Sequence, residues 1–308
     1  MVLVGRTRSL GPLTDAIRPL YVGRPYPLVT ALVGYFDDSR EGGIFAVAGY
    51  LADVETWDSV LTPEWWSTLH SMPRRVSEFK ASDCRQGVEE FKLWPQEERI
   101  ELTTKLVSVL AGPKYSSLCG VGAAFRFPPI PPELDQEFKE MAYTICLGAV
   151  VGSSLAMANL RKLGDSIRFV FDVQRKMEGI AQEMYIGVRE RIIRDLQYKI
   201  EIAHRISFED SEKLPPLQAA DLLAHETYKE LKNQDESPPR VRSMALRRLL
   251  EGKPHVGWYY SPNVILQWWD DADAGKPLTE MALPVIYDSA NVLASASSWF
   301  QSPSSERQ

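Results

Sequence analysis

Three aspartates far apart in the chain each sit against an apolar segment. Asp37 follows the run Ala31-Leu32-Val33-Gly34-Tyr35-Phe36 and is itself followed by Asp38 and Ser39. Asp172 ends Ser166-Ile167-Arg168-Phe169-Val170-Phe171. Asp221 is flanked by alanines and leucines in Leu217-Gln218-Ala219-Ala220-Asp221-Leu222-Leu223-Ala224-His225. A carboxylate in such a setting costs free energy unless it is solvated, paired or bound to a cation. Each also has a plainer reading. Asp37 could cap a hairpin turn, and Asp221 could be a first-turn acid stabilised by the helix dipole.

Brought together, these acids would repel. Protons or a divalent cation would then have to offset the charge. The cysteines, Cys84, Cys119 and Cys146, are widely spaced, and no Cys or His cluster offers a zinc site. Hard oxygen ligands instead point to Mg²⁺ or Mn²⁺. Two such ions about 4 Å apart can activate a water and stabilise a leaving oxygen in phosphodiester hydrolysis. Gln218, Asp221 and His225, three and four residues apart, share a helix face. Gln218 would orient a ligand or substrate phosphate, and His225 would shuttle a proton or support a ligand from behind. Packing accounts for His225 equally well. Lys80 and Arg175 are candidate phosphate contacts, with solvated surface as the alternative.

The elements that must position these residues can be read from periodicity. Residues 31–51 form two apolar runs split by Arg40-Glu41-Gly42-Gly43, the pattern of a β-hairpin. Helices are expected over 54–72, 95–111, about 131–163, 173–195 and from 215 onward. Strands are expected over 116–127 and 166–172, with an alternating edge strand over 198–208. The order gives a mixed α/β sheet flanked by helices. If the strands ending at Asp37 and Asp172 are parallel neighbours, both carboxylates lie at one carboxyl edge of the sheet, where open α/β sheets place ligands. The helix bearing Asp221 could lay its first turn over that edge.

The chain has 308 residues, 44% hydrophobic and 25% charged, with net charge −6. That supports a large core and gives no overall polyanion-binding signal. Met141 to Leu160 carries no charge. Its Ala, Gly, Ser and Thr content favours a buried core helix over a membrane span. The N-terminus lacks a signal-peptide core, and the cysteine usage suits a reducing compartment, so a cytoplasmic location is expected. Four parts are expected: an N-terminal extension (1–26), a main domain (27–235), a C-terminal helical subdomain (236–289) and a flexible tail (290–308). The subdomain would contain a basic helix over 240–252, Trp258-Tyr259-Tyr260 and a helix with Trp268-Trp269.

Residues 30 to 232 resemble a known family. Tyr35-Phe36-Asp37-Asp38-Ser39, Phe45-Ala46-Val47-Ala48-Gly49, Glu78-Phe79-Lys80, Asp172 and Leu217-Gln218-Ala219-Ala220-Asp221-Leu222-Leu223-Ala224 look like the domain-of-unknown-function 3800 proteins. These are bacterial and phage proteins grouped with the RNase H-like nucleases. The family's opening signature usually has Glu and Gly where Asp38 and Arg40 stand here. The resemblance implies an RNase H-like mixed sheet and a two-metal Mg²⁺ or Mn²⁺ nuclease acting on nucleic acid. Its catalytic acids would be Asp37, Glu78, Asp172 and Asp221, with Asp37 bridging the ions and Asp38 assisting or replacing Glu78. The alternative is a catalytically silent RNase H-like scaffold, an interaction subunit with protein partners in a phage-related or defence assembly. The acidic net charge and the lack of a continuous basic stripe favour it.

Overall fold

The computed structural model describes residues 30–115, 117–127, 135–195, 198–235 and 243–263, with positions 267, 274 and 298–301. The expected N-terminal extension lies outside these residues, as does Trp268-Trp269. The strands are β1 (Ala31–Glu41), β2 (Ile44–Asp53), β3 (Cys119–Arg126), β4 (Ser166–Asp172), β5 (Glu201–Ile202), β6 (Ser207–Glu209), β7 (His255–Tyr260) and β8 (Ser298–Gln301). The helices are α1 (Thr62–His70), α2 (Ala81–Gln86), α3 (Gln96–Ala111), α4 (Asp135–Arg161), α5 (Glu178–Asp195), α6 (Pro215–Asp235) and α7 (Met244–Leu250).

The strands make one mixed sheet in the order β5-β4-β1-β2-β3-β7-β8, with β6 also paired to β4. β1, β2 and β3 form an antiparallel meander. β4 runs parallel to β1, with Phe36 opposite Phe171. Asp37 and Asp172 are therefore the next residues on neighbouring parallel strands. β4 ends at Asp172 while β1 continues to Glu41, so the hairpin tip projects past the edge of β4. The tip itself is a two-residue turn, Gly42-Gly43, with both φ values positive (58° and 78°). That is the backbone glycine adopts without a Cβ clash.

Alternation along each strand sends side chains to two cores. Leu32, Phe36, Val47, Phe125, Phe169 and Phe171 pack against α4 and α5. Val33, Tyr35, Ala48, Tyr50 and Val170 pack against α6 and the helices beyond it. α4 is apolar nearly all round because it is buried nearly all round. Among the described residues it is the one helix long and apolar enough to cross a membrane, and its apolar window lies wholly inside the fold. Ser153 on α4 accepts a hydrogen bond from Trp258 Nε1 at 2.8 Å, which ties β7 to it.

Three elements differ from the sequence pattern. Residues 198–208 form two short strands, both parallel to β4, rather than one alternating strand. At the end of the first and just past it, side chains of α5 take the carbonyls: Arg189 Nε donates to Ile202 O at 3.2 Å and Tyr185 Oη to Ala203 O at 2.6 Å. The expected helix over 54–72 begins as a π-helical turn, Thr56–Leu61, before α1. Trp57, Leu61, Trp65 and Leu69 are nevertheless all buried on one side. Finally, Trp258-Tyr259-Tyr260 lies in β7, a strand of the main sheet paired to β3, and β8 within 290–308 pairs in turn with β7. The described part of 236–289 thus includes a strand of the main sheet.

Candidate active site

Asp37 stands on β1 in register with Ala48 of β2, whose side chain belongs to the α6 face. Asp172 follows Phe171 and shares a face with Val170, again the α6 face. α6 packs across β1 and β2 and presents Asp221 from its second turn. Pro215 and Pro216 open this helix, where missing N–H groups cost nothing. Leu217, Ala219, Ala220, Leu222 and Leu223 bury it against the sheet. The carboxyl edge of β1 and β4 and the start of α6 therefore deliver three acids to one place.

The electrostatics record their proximity. Burial pushes the Asp37 carboxyl well above the usual aspartate range, and the charges of Asp221, Asp172 and Asp38 push it further. Burial raises Asp221 to about 7, opposed by the Ala81 N–H and by Lys80, and assisted by Asp172 and Asp83. Asp172 is also raised by burial, against Lys80 and hydrogen bonds from Val173 and Ser211. Burial is the first cause of all three shifts, and neighbouring acids add to it at Asp37 and Asp221.

The hydrogen bonds leave oxygens open. Asp37 Oδ1 accepts from Asp38 N at 2.7 Å and Asp221 Oδ2 from Ala81 N at 2.6 Å. The second oxygen of each has no partner among the described residues. An all-carboxylate donor set with open oxygens suits a hard divalent cation. Among the described residues, however, no group of three His, Cys, Asp or Glu side chains is drawn close enough to hold an ion as it stands. The acids are near enough for their charges to act on Asp37, and they do not form a closed cage.

Glu78 lies between α1 and α2 in a segment without regular structure, at the rim of this cluster. Ser211 Oγ donates to Glu78 Oε1 at 2.5 Å, and Ser211 N reaches Asp172 Oδ1 at 3.3 Å. Ser211 thereby links two of the acids. Lys80 Nζ lies 3.5 Å from Glu78 Oε1. Burial lowers the Lys80 pKa, but Glu78, Asp172 and Asp37 together outweigh it, so the net shift is upward. Lys80 therefore stays cationic inside the acidic cluster and supplies part of the compensating charge.

Asp38 is placed differently from the expectation. Adjacent strand residues point to opposite faces, and Asp38 opposes Val47 on the α4–α5 side. Its Oδ1 accepts from Gln174 Nε2 at 2.6 Å, and it lines a cavity with Arg40, Tyr143 and Arg175. Burial raises it to about 6, Arg40 lowers it and Asp172 raises it. It sits behind Asp37, and the position beside Ser211 and Lys80 belongs to Glu78. Arg175 is exposed on that same far side.

Gln218 does not face a ligand. It is fully buried, and its amide is used up inside the fold. Its Oε1 accepts from Trp65 Nε1 at 2.9 Å and Phe79 N at 3.1 Å, and its Nε2 donates to Ser211 O at 2.9 Å. It holds the Glu78 segment and the Ser211 turn to α6. His225 is buried one turn beyond Asp221, and burial lowers its pKa to about 4. Among the described residues no hydrogen bond joins it to the acids. Ser211 and Gln174 gave no periodic or motif signal. Their roles come from contacts across 133 and 136 positions of sequence.

No protein-family model matches this chain, and no curated protein matches it.

Proposed function

We propose that the chain is a divalent-metal-dependent, nuclease-like phosphodiester hydrolase of the RNase H-like type, related to the domain-of-unknown-function 3800 proteins. The observation that carries this reading is the placement of Asp37 and Asp172 side by side at the ends of neighbouring parallel strands, with Asp221 on the helix packed over that edge. Asp37, Asp172 and Asp221 would hold Mg²⁺ or Mn²⁺, with Glu78 at the rim. A bound ion would supply an activated water and stabilise the oxygen that leaves phosphorus. Ser211 fixes Glu78 and Asp172, Gln218 fixes Ser211, and Lys80 balances charge and offers a donor to a phosphate oxygen. Three free, buried cysteines agree with a reducing, cytoplasmic setting.

One observation favours the second reading, a catalytically silent scaffold with protein partners. The acids have not closed into a cage, and Lys80 already compensates part of their charge. Thermal unfolding with increasing Mn²⁺ decides between the two. The expected result is a rise in melting temperature for wild type that is lost in Asp37→Asn with Asp221→Asn, together with Mn²⁺-dependent cleavage of a labelled oligonucleotide. No Mn²⁺ response in either protein would overturn the nuclease reading.

A further inference from the structure

Two cavities open beside the acid cluster on the α6 face. One, of about 250 Å³, lies between α2, α3 and α6, with Phe79, Ile100, Thr103 and Leu222 in its walls. The other, of about 370 Å³, lies between the β1 tip, α2 and α6, with Arg40, Ser82, Tyr228 and Lys232 around it. Arg85 and His225 line both, so the two cavities adjoin at these residues. Ala81, whose N–H binds Asp221, lines the first. Together they fall within the roughly 300–1,000 Å³ of ligand pockets.

Their chemistry is divided. The outer cavity is cationic. Arg40 and Arg85 form no close ion pair among the described residues; Arg40, at the hairpin tip, also lines the cavity on the other face where its charge favours ionised Asp38, and Glu41, the acid in this cavity, is engaged by Tyr228 Oη at 2.5 Å and by Lys232 at 3.4 Å. The inner cavity is half apolar. His225 is 6% exposed, and its Nε2 has no hydrogen-bond partner among the described residues, a cost the fold carries at a cavity wall. The second acid here, Glu226, is bonded to Lys229 and Ser243 at 2.5 Å each. An anion-binding mouth beside a chamber of mixed polarity, whose wall carries a buried imidazole nitrogen without a partner, fits a phosphate attached to a heterocycle that can hydrogen-bond it.

We infer that the paired cavities hold one unstacked nucleotide of a single-stranded polynucleotide, its phosphate against Arg40 and Arg85 and its base in the chamber beside His225. This rests on the nuclease reading only for its direction: a strand seated there runs past Asp221 toward Asp37. A base seated in the chamber has left its duplex partner, so single strands are preferred.

The test is fluorescence anisotropy of a 5′-labelled 12-nucleotide strand, DNA and RNA, free or annealed to its complement, in EDTA so that no metal contributes. Wild type should bind at least one of the single strands about tenfold or more tighter than its duplex. Arg40→Ala with Arg85→Ala, both exposed, should weaken single-strand binding about tenfold. Ile100→Trp, at an exposed position on the chamber rim, should remove the single-strand preference without touching the core. Equal or tighter duplex binding, no binding of any strand, or variants that bind like wild type would overturn the inference. Cavity-dependent binding without a Mn²⁺ response would uphold it while the nuclease reading fails. Mn²⁺-dependent cleavage unaffected by the cavity variants would do the reverse.

Discussion

Gln218 shows how one side chain can position a site without facing it. Three groups depend on its amide: the Trp65 indole N–H, the Phe79 backbone N–H and the Ser211 carbonyl. Replacing it with leucine keeps the bulk and orphans all three. A buried group without its partner costs about 1–3 kcal/mol, and relaxation recovers part of the total. Gln218→Leu is therefore expected to lose about 3 kcal/mol in a urea titration with an unchanged slope. A loss under about 1 kcal/mol would mean that the amide is dispensable. Ser211→Ala removes the hydroxyl donor to Glu78 but keeps the backbone bond to Asp172. It should cost about 1 kcal/mol of stability and, on the nuclease reading, weaken Mn²⁺ binding about tenfold or more. A Mn²⁺ titration of the variant that matches wild type would remove Glu78 from the metal set.

At the scale of elements, the β1–β2 hairpin sets the site. Gly49 pairs with Phe36 just ahead of Asp37, and a Cβ there would lie 1.8 Å from Tyr35 O. Backbone atoms cannot move aside cheaply, so Gly49→Ala must displace β1 where it delivers Asp37. It should fail to fold or melt far below wild type. Gly42→Ala meets open space at φ 58° and should cost only about 1 kcal/mol of backbone strain. Parallel melts of the two variants check this, and equal losses would contradict it. The strands ending at Asp37 and Asp172 were legible because unbroken apolar runs stop at an acid. The Gln-x-x-Asp helix was legible from its prolines and leucines. Their convergence was not, since it depends on the pairing of Phe36 with Phe171. The Glu78 segment has no period, and bonds from Ser211 and Lys80 locate it. The resemblance puts Asp38 in the place of the family's Glu, whereas the alternation of side chains along β1 sends it to the face opposite Asp37. β7 was missed because its aromatic cluster resembles helix packing and its partner β3 lies far upstream.

At the scale of the whole molecule, the gathered acids make an unusual prediction about pH. Asp221 rises to about 7 and Asp38 to about 6 from an ordinary 3.8, and Asp37 and Asp172 are raised as well. The folded protein therefore holds more protons than the unfolded chain between about 4 and 7. Stability from these groups is fully present below the unfolded value and is lost as pH rises through the folded ones. His225 acts in the opposite sense. Its pKa falls to about 4 from 6.5, so its contribution is present above the unfolded value and lost as pH drops. Asp58, outside the cluster, also rises to about 6, through burial and Glu55. In EDTA the acids outnumber the histidine, so wild type should melt higher at pH 5.5 than at pH 8. Asp221→Asn leaves Asp58 and His225 in place. It should flatten that profile and match or exceed wild type at pH 8, because it removes a charge that repels Asp37. On the metal reading, saturating Mn²⁺ should reverse the slope, since a cation held by the deprotonated acids would compete with protons. Identical profiles for wild type and Asp221→Asn in EDTA would show that the acids do not act as one group, and the metal reading would fall with them.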